Sequence, residues 1–152
     1  MTSVRRSTTV DAPPDAVWSV LADFGALATW VPMIQHSCLL SEQRGDVGAV
    51  RRVQIARQTL VERVTTWDPP GELSYAIEGL PPIVGVARTT WQLTPAGDGT
   101  RVVLTTEIDT GLNPARALVA KKVLQRMAMA SELMLAGLAR ATAGPTTTEE
   151  RT

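Results

Sequence analysis

Hydrophobic and polar residues alternate with a period of two through most of the chain between residues 34 and 110. This period is typical of half-buried β-strands, and turn-forming glycine, proline and aspartate residues separate the successive runs. A Val- and Thr-rich run at the start of the chain predicts one more strand. The predicted strands are Val4–Val10, Ile34–Ser41, Ala49–Ala56, Thr59–Asp68, Glu72–Glu78, Val86–Pro95 and Thr100–Thr110. The pattern therefore predicts an antiparallel meander of seven strands.

Two short helical segments are predicted between the first strand and the rest. Asp11 or Asp15 is expected to cap the first helix, and the second ends near Trp30, just before a proline. From Asn113 to about Ala143, apolar residues recur at intervals of three and four, which predicts one long helix with a continuous apolar face. The order of elements, one strand, two helices, six strands and one helix, indicates an α+β fold.

The length of 152 residues suits one domain with one sizeable core. We expect this domain to occupy residues 1–143. Residues 144–152 begin with a helix-stopping Gly-Pro pair and continue as a polar Thr/Glu segment, which is expected to be a disordered tail.

The charge balance argues against several classes of partner. Fifteen basic residues match fifteen acidic ones, so the chain as a whole has no field to attract nucleic acid or an anionic lipid surface. No apolar run is long enough for membrane insertion, and the first residues lack a secretory pattern, so we expect a cytoplasmic protein. Cys38 and His36 are the only residues of their kinds, which excludes an internal disulfide and the usual clustered zinc sites. We expect no metal and no cofactor.

A set of short motifs, in a fixed order, resembles one superfamily. They are Ala16-Val17-Trp18, Asp23-Phe24, Trp30-Val31-Pro32, Gly48-Ala49-Val50-Arg51-Arg52-Val53, Glu62-Arg63-Val64 and Gly97-Asp98-Gly99-Thr100-Arg101-Val102. Together with the order of elements, they resemble the START-related (SRPBCC) superfamily, in particular its polyketide cyclase/dehydrase and lipid-transport branch. This resemblance implies a helix-grip fold, in which a curved seven-stranded antiparallel sheet wraps around the long C-terminal helix. It also implies an internal cavity for a hydrophobic small molecule.

Strand alternation selects the side chains that face this cavity. A hairpin that turns at Arg57 and Gln58 would put Val53 opposite Glu62. The resulting inward face contains Arg51, Val53, Ile55, Leu60, Glu62 and Val64. Glu62 is then either an acid/base group or a buried carboxylate that a diagonally placed Arg51 neutralises.

The other meander strands supply three more candidates. One face of the second strand contains Ile34, His36, Cys38 and Leu40, which places the single histidine inside. His36 suits proton transfer near neutrality, and the resemblance aligns it with a ligand-anchoring lysine of plant abscisic-acid receptors, but it also suits a hydrogen-bonded core position. Tyr75 and Ile77 face inward on the fifth strand, where Tyr75 either orients a ligand carbonyl or serves as a core aromatic.

The last two strands allow two orientations. Amphipathicity alone places Thr89, Trp91, Leu93, Val102, Leu104 and Ile108 inside. The resemblance to the abscisic-acid receptor branch instead points Thr105 into the cavity, with Arg88 opposite Glu107. We adopt the second orientation as the prediction, although a bulge would reverse it.

The helices complete the predicted cavity. Met127, Ser131 and Met134 on the long helix give a soft surface that suits either an irregular ligand or gap-filling in a core. The resemblance places Trp30 and Met33 at the cavity mouth. The apolar loop 79–85, with Leu80, Ile83 and Val84, is expected to form a ligand portal or a partner surface.

Three functions fit these predictions. The first is a noncatalytic binder or carrier of a hydrophobic small molecule. The second is a polyketide cyclase, aromatase or dehydratase, with His36, Glu62, Tyr75 and Arg88 as candidate catalytic residues. The third is a protein-interaction module that uses the apolar loop and an exposed Trp91 face. The sequence leaves a homodimer open and makes nucleic acid the weakest partner.

Overall fold

The computed structural model describes residues 2–143, which form one strand, two short helices, six further strands and a long helix. The strands are β1 (Thr2–Val10), β2 (His36–Leu39), β3 (Val50–Ile55), β4 (Gln58–Asp68), β5 (Glu72–Glu78), β6 (Val86–Ala96) and β7 (Gly99–Asp109). The helices are α1 (Pro14–Ala22), a 3₁₀ helix (Phe24–Thr29) and α2 (Pro114–Ala143). The predicted α+β helix-grip architecture is confirmed.

All seven strands form one curved antiparallel sheet in the order β1-β7-β6-β5-β4-β3-β2. Each strand from β2 to β7 pairs with the strand that follows it in the chain. The exception is β1, which pairs with β7 instead of β2. The core lies between the sheet and the helices, and its largest fully buried side chains include Trp91, Tyr75 and Phe24. None of the helices in the described part of the chain is long and apolar enough to span a membrane.

The ends of the helices differ in how they are capped. The Asn113 side chain accepts hydrogen bonds from the backbone N–H groups of Ala115 and Arg116, at 2.9 and 3.3 Å, and so caps α2. The prediction that Asp11 or Asp15 caps α1 is wrong. The N-cap residue is Pro13, which has no side-chain donor or acceptor, and its carbonyl accepts the first bonds of the helix.

The β3–β4 hairpin turns one residue earlier than predicted. Its turn consists of Ala56 and Arg57, so Arg51 pairs directly with Glu62 and Val53 pairs with Leu60. Each partner has shifted by two positions, and a shift of two leaves every side chain on the same face. The inward face is therefore the predicted one, while Arg51 and Glu62 are cross-strand neighbours rather than a diagonal pair.

Strands β6 and β7 have the orientation that amphipathicity favours, and the orientation adopted from the resemblance is wrong. Their pairing runs without a bulge from Val86 and Asp109 to Ala96 and Gly99. Alternation then puts Trp91, at 1% exposure, on the inner face. Arg88, Thr105 and Glu107 are consequently on the outer face.

Helix α2 packs its predicted apolar face against the sheet and the two short helices. Leu124 and Leu138 are buried, and Gly137 lies against the backbone carbonyl of Trp30. A Cβ atom at position 137 would overlap that carbonyl. Glycine inside a helix lowers helix stability by about 1 kcal/mol relative to alanine. We infer that Gly137 is present because the end of the 3₁₀ helix approaches α2 so closely.

Candidate functional site

A small cavity of about 80 Å³ lies between the inner face of the sheet and helix α2. Its walls are mostly apolar, with a few polar groups contributed by both layers. The lining residues are Ile55, Leu60, Glu62, Tyr75, Ile77, Thr89, Leu104, Thr106, Met127, Ala130, Ser131 and Met134. This location, between sheet and long helix, is the predicted one.

A buried ion pair forms one side of the site. Arg51 and Glu62 are 3% and 6% exposed, and both the Nε and one terminal nitrogen of Arg51 lie 2.7 Å from Glu62 Oε1. The other terminal nitrogen donates a hydrogen bond of 2.9 Å to the Phe24 carbonyl. The guanidinium also lies over the rings of Phe24 and Tyr75, at 3.9 and 4.7 Å. Contacts with Glu62, Phe24 and Tyr75 thus hold the guanidinium in place. Arg51 does not line the cavity itself and lies behind the lining residue Glu62.

The geometry of this pair leaves one carboxylate oxygen unused. Both Arg51 contacts go to Oε1 of Glu62, and no residue between 2 and 143 donates a hydrogen bond to Oε2. Because Glu62 lines the cavity, Oε2 is available to a donor on a bound molecule. The predicted pairing with Arg51 is therefore present at Oε1, and Oε2 is left without a donor from residues 2–143.

Tyr75 places a hydroxyl beside that carboxylate. The Trp91 indole N–H donates a hydrogen bond of 3.1 Å to the Tyr75 oxygen, and none of the described residues accepts the hydroxyl proton. Burial, and then the nearby charge of Glu62, raise the pKa of Tyr75 to about 12. The hydroxyl thus stays protonated near neutral pH, and it can donate a hydrogen bond to an acceptor in the cavity.

Further hydroxyl groups lie along the cavity wall. The Thr89 and Thr106 hydroxyls are 3.4 Å apart on the inner faces of β6 and β7. On the helix side, Ser131 is a buried residue that lines the cavity, and its hydroxyl makes no hydrogen bond with residues 2–143. The cavity therefore offers polar groups on two walls to a ligand that is otherwise apolar.

Three predicted mouth and cavity residues lie elsewhere. His36 is exposed at the start of β2, on the outer face, so its predicted inward orientation is wrong. Met33 packs in a second small core cluster with Leu27, Val31, Ile34 and Val53. Trp30 packs edge-to-face on Trp91, with ring centroids 6.1 Å apart, and its buried indole N–H has no partner in the described part of the chain. Neither Trp30 nor Met33 lines the cavity.

The outer-face residues form no part of the cavity. Arg88 and Glu107 pair across β6 and β7, where with Val86 and Asp109 they line a depression on the outside of the sheet. Thr105 also faces outward. His36 and Arg88 are therefore withdrawn as catalytic candidates for the cavity, because both point away from it.

The loop 79–85 is less exposed than predicted. Val84 is fully buried, Leu80 is partly buried against the core, and Ile83 is exposed. The Val84 N–H donates to the Pro81 carbonyl at 2.9 Å and folds the loop inward. Trp91 is also buried, so both apolar surfaces that motivated the interaction-module function are largely covered.

Several residues of the site were not predicted from the sequence. Phe24 contributes its carbonyl and its ring to Arg51. Ser37 joins the 3₁₀ helix to β2, since its hydroxyl donates to the Gly25 carbonyl at 2.8 Å and accepts from the Ala28 N–H at 2.9 Å. Thr89 and Leu104 belonged to the amphipathic set that was not adopted. The amphipathic pattern alone identifies these last two.

The acidic, histidine and cysteine side chains of residues 2–143 do not cluster. This part of the chain contains no group of three or more His, Cys, Asp or Glu side chains placed to hold a metal ion. The polar groups of the cavity are one carboxylate and several hydroxyls, a set that suits hydrogen bonding to an organic ligand.

Comparisons with known proteins agree with this fold. The family model for polyketide cyclase / dehydrase and lipid transport matches residues 1–142. The Zhui aromatase/cyclase from Streptomyces sp. R1128 is 25% identical, with a TM-score of 0.74 and coverage of 95% of both chains. A protein from Thermus thermophilus is 20% identical with a TM-score of 0.70, and the match covers 93% of this chain and 97% of that one. Ara h 8.0201 is 18% identical with a TM-score of 0.67, over 90% and 97%. No curated protein sequence matches the chain.

Proposed function

Because the chain belongs to the polyketide cyclase / dehydrase and lipid transport family, we propose that it binds a hydrophobic small molecule in the cavity between the sheet and α2. The observation that carries this proposal is a mostly apolar cavity, lined by polar groups that keep hydrogen-bonding capacity unused by residues 2–143. Glu62 Oε2 can accept a hydrogen bond, Tyr75 can donate one, and Ser131 can do either. These groups favour a flat or acyl ligand with an adjacent hydroxyl and carbonyl at one end.

The cavity must enlarge to admit such a ligand. Pockets for drug-sized ligands measure roughly 300–1,000 Å³, whereas this cavity measures about 80 Å³. Met127 and Met134 form part of its helix wall and are only partly buried. Methionine side chains are unbranched and rearrange easily, so we infer that these two residues rotate away when a ligand enters.

A titration with 6-acetyl-2-naphthol, an environment-sensitive fluorophore with a phenol and a ketone, tests this proposal. We expect saturable binding to the wild-type protein. Ser131→Leu, which fills much of the cavity, should weaken binding at least tenfold, whereas Ser19→Leu on the exposed face of α1 should leave it unchanged. Equal binding by both variants, or no binding by the wild type, would contradict the proposal.

A second candidate function is acid–base chemistry on the bound molecule, as in a cyclase, aromatase or dehydratase. The free oxygen of Glu62 lies on the same wall as the Tyr75 hydroxyl. Glu62 would remove a proton from a carbon next to a carbonyl, while Tyr75 donates a hydrogen bond to the carbonyl oxygen as negative charge develops. The similarity to an aromatase/cyclase structure supports this candidate.

Exchange of the α-protons of 2-tetralone in deuterated buffer tests that chemistry by NMR. We expect the protein to accelerate exchange, Glu62→Gln to abolish the acceleration and Tyr75→Phe to reduce it. Exchange at the same rate in Glu62→Gln and the wild type would exclude Glu62 as a catalytic base and would leave ligand binding as the function.

A further inference from the structure

The solvent-facing side of α2 carries basic and apolar residues in a single stripe. Helix α2 contains Arg116, Lys121, Lys122, Arg126 and Arg140 but just one acidic residue, Glu132. It thus has a formal charge of +4 within a chain whose formal net charge is zero. The balanced composition of the chain conceals this concentration of positive charge on one element.

Helical geometry places three of these basic residues, Lys122, Arg126 and Arg140, in line with exposed apolar residues. At about 100° per residue, six exposed side chains fall within roughly a quarter of the helix circumference, opposite the face that packs on the sheet. We call them the α2 stripe: Leu118, Lys122, Arg126, Met129, Leu133 and Arg140. Glu132 lies to one side of the α2 stripe. From Leu118 to Arg140 the stripe extends for about 33 Å along the helix, at a rise of about 1.5 Å per residue.

The stripe is exposed and its charges are uncompensated. Leu118, Met129 and Leu133 are 65%, 68% and 51% exposed. Within residues 2–143, the ion pairs are Arg51 with Glu62 and Arg63 with Glu78, so none of the basic residues of the stripe is paired. The stripe thus combines three large apolar side chains with three cationic ones along one helix.

We propose that the α2 stripe docks the protein on the surface of an anionic phospholipid bilayer, with α2 parallel to the membrane plane. Lysine and arginine would contact the phosphate groups, while leucine and methionine side chains enter the boundary between headgroups and acyl chains. This inference goes beyond the proposed function and does not depend on it.

The composition of the stripe favours a bilayer over other acidic partners. Protein interfaces are enriched in methionine and arginine, which the α2 stripe contains. They are also enriched in aromatic residues and depleted in lysine, whereas the stripe contains Lys122 and no aromatic residue. A nucleic acid backbone would match the basic residues but would leave Leu118, Met129 and Leu133 in contact with charged phosphates. An anionic bilayer accounts for both kinds of side chain.

Cosedimentation with vesicles tests the proposal. We expect the protein to bind vesicles of mixed phosphatidylglycerol and phosphatidylcholine, and to bind vesicles of phosphatidylcholine alone far less. Each basic residue near such a surface contributes about 1 kcal/mol, so Lys122→Gln with Arg126→Gln should weaken binding roughly 30-fold. Met129→Ser with Leu133→Ser should weaken it as well. Higher salt should weaken binding of the wild type.

A charge-matched control separates a specific stripe from general attraction. Arg57→Gln with Arg101→Gln removes the same charge from exposed positions outside α2, and should leave binding within twofold of the wild type. Equal loss in both charge variants, binding that ignores phosphatidylglycerol, or no binding would overturn the proposal. Sedimentation equilibrium that showed self-association abolished by the stripe substitutions would also overturn it, and would assign the surface to a second copy of the chain.

Discussion

Replacing Glu62 by alanine would leave a buried guanidinium without its carboxylate. Arg51 is 3% exposed, and within residues 2–143 Glu62 is its one acidic partner, at 2.7 Å. In the variant, Arg51 would keep its hydrogen bond to the Phe24 carbonyl and its position over the Phe24 ring. The charge would otherwise have no compensating group in a largely apolar interior.

The expected loss of stability follows from these contacts. Removing one partner of a buried ion pair costs roughly 3–5 kcal/mol. Because the Phe24 contacts remain, we expect a value near the lower end, about 3 kcal/mol, and a melting temperature lower by roughly 10 °C. The double variant Arg51→Met with Glu62→Leu buries no charge, and its main cost is the unpaired Phe24 carbonyl, about 1–3 kcal/mol. The double variant should therefore lose less stability than Glu62→Ala, by up to about 2 kcal/mol.

Urea denaturation of the wild type, Arg51→Met, Glu62→Leu and the double variant measures the coupling between the two residues. The exposed pair of Arg63 and Glu78, at 3.4 Å and about half exposed on each side chain, provides a matched control. Its coupling should be below about 1 kcal/mol. If Glu62→Ala costs less than about 1 kcal/mol, or if the stability losses of Arg51→Met and Glu62→Leu simply add in the double variant, then Glu62 does not compensate the buried charge of Arg51.

Two further predictions concern packing and pH. Gly137→Ala should lower the free energy of unfolding by more than about 2 kcal/mol because the new Cβ overlaps the Trp30 carbonyl, although helix propensity alone would raise it by about 1 kcal/mol. The control Ala136→Gly, at the exposed neighbouring position, should cost about 1 kcal/mol, the propensity difference. A Gly137→Ala variant more stable than the wild type would contradict the close approach of Trp30 to α2. Because the folded pKa of Tyr75, about 12, exceeds the unfolded value of 10.0, the unfolded state loses its proton first, so stability should fall as pH rises from about 10 to 12. Tyr75 is the single tyrosine, so tyrosinate absorbance reports its titration directly; native protein that titrates near pH 10 would contradict its burial.

The order of elements and the inward face of β3 and β4 could be predicted because both depend on local periodicity. Alternation tolerates a register error of two residues, so the misplaced turn at Arg57 did not move Glu62 to the other face. The same rule failed at β2. Ile34 is buried in a turn before the strand, where its N–H donates to the Val31 carbonyl, and counting it as a strand residue reversed the orientation of His36.

The local amphipathic pattern of β6 also indicated an inward Trp91 correctly, and the resemblance to distant receptors led to the wrong orientation. Other features depend on tertiary contacts that no local pattern contains. The contact between the Phe24 carbonyl and Arg51 joins residues 27 positions apart in the chain. In the sequence, Gly137 is a residue of low helix propensity within the predicted long helix. The close approach of the Trp30 carbonyl explains why this position has no side chain.

The claim that a hydrophobic molecule occupies the cavity is tested most directly by NMR of methyl-labelled methionine. The chain has five methionines, of which Met127 and Met134 line the cavity and Met129 is exposed on the other side of α2. With 6-acetyl-2-naphthol bound, we expect nuclear Overhauser effects from the aromatic protons to the methyl groups of Met127 and Met134, and none to Met129. Effects to Met129 alone, or saturable binding without any contact to Met127 and Met134, would contradict an internal binding site.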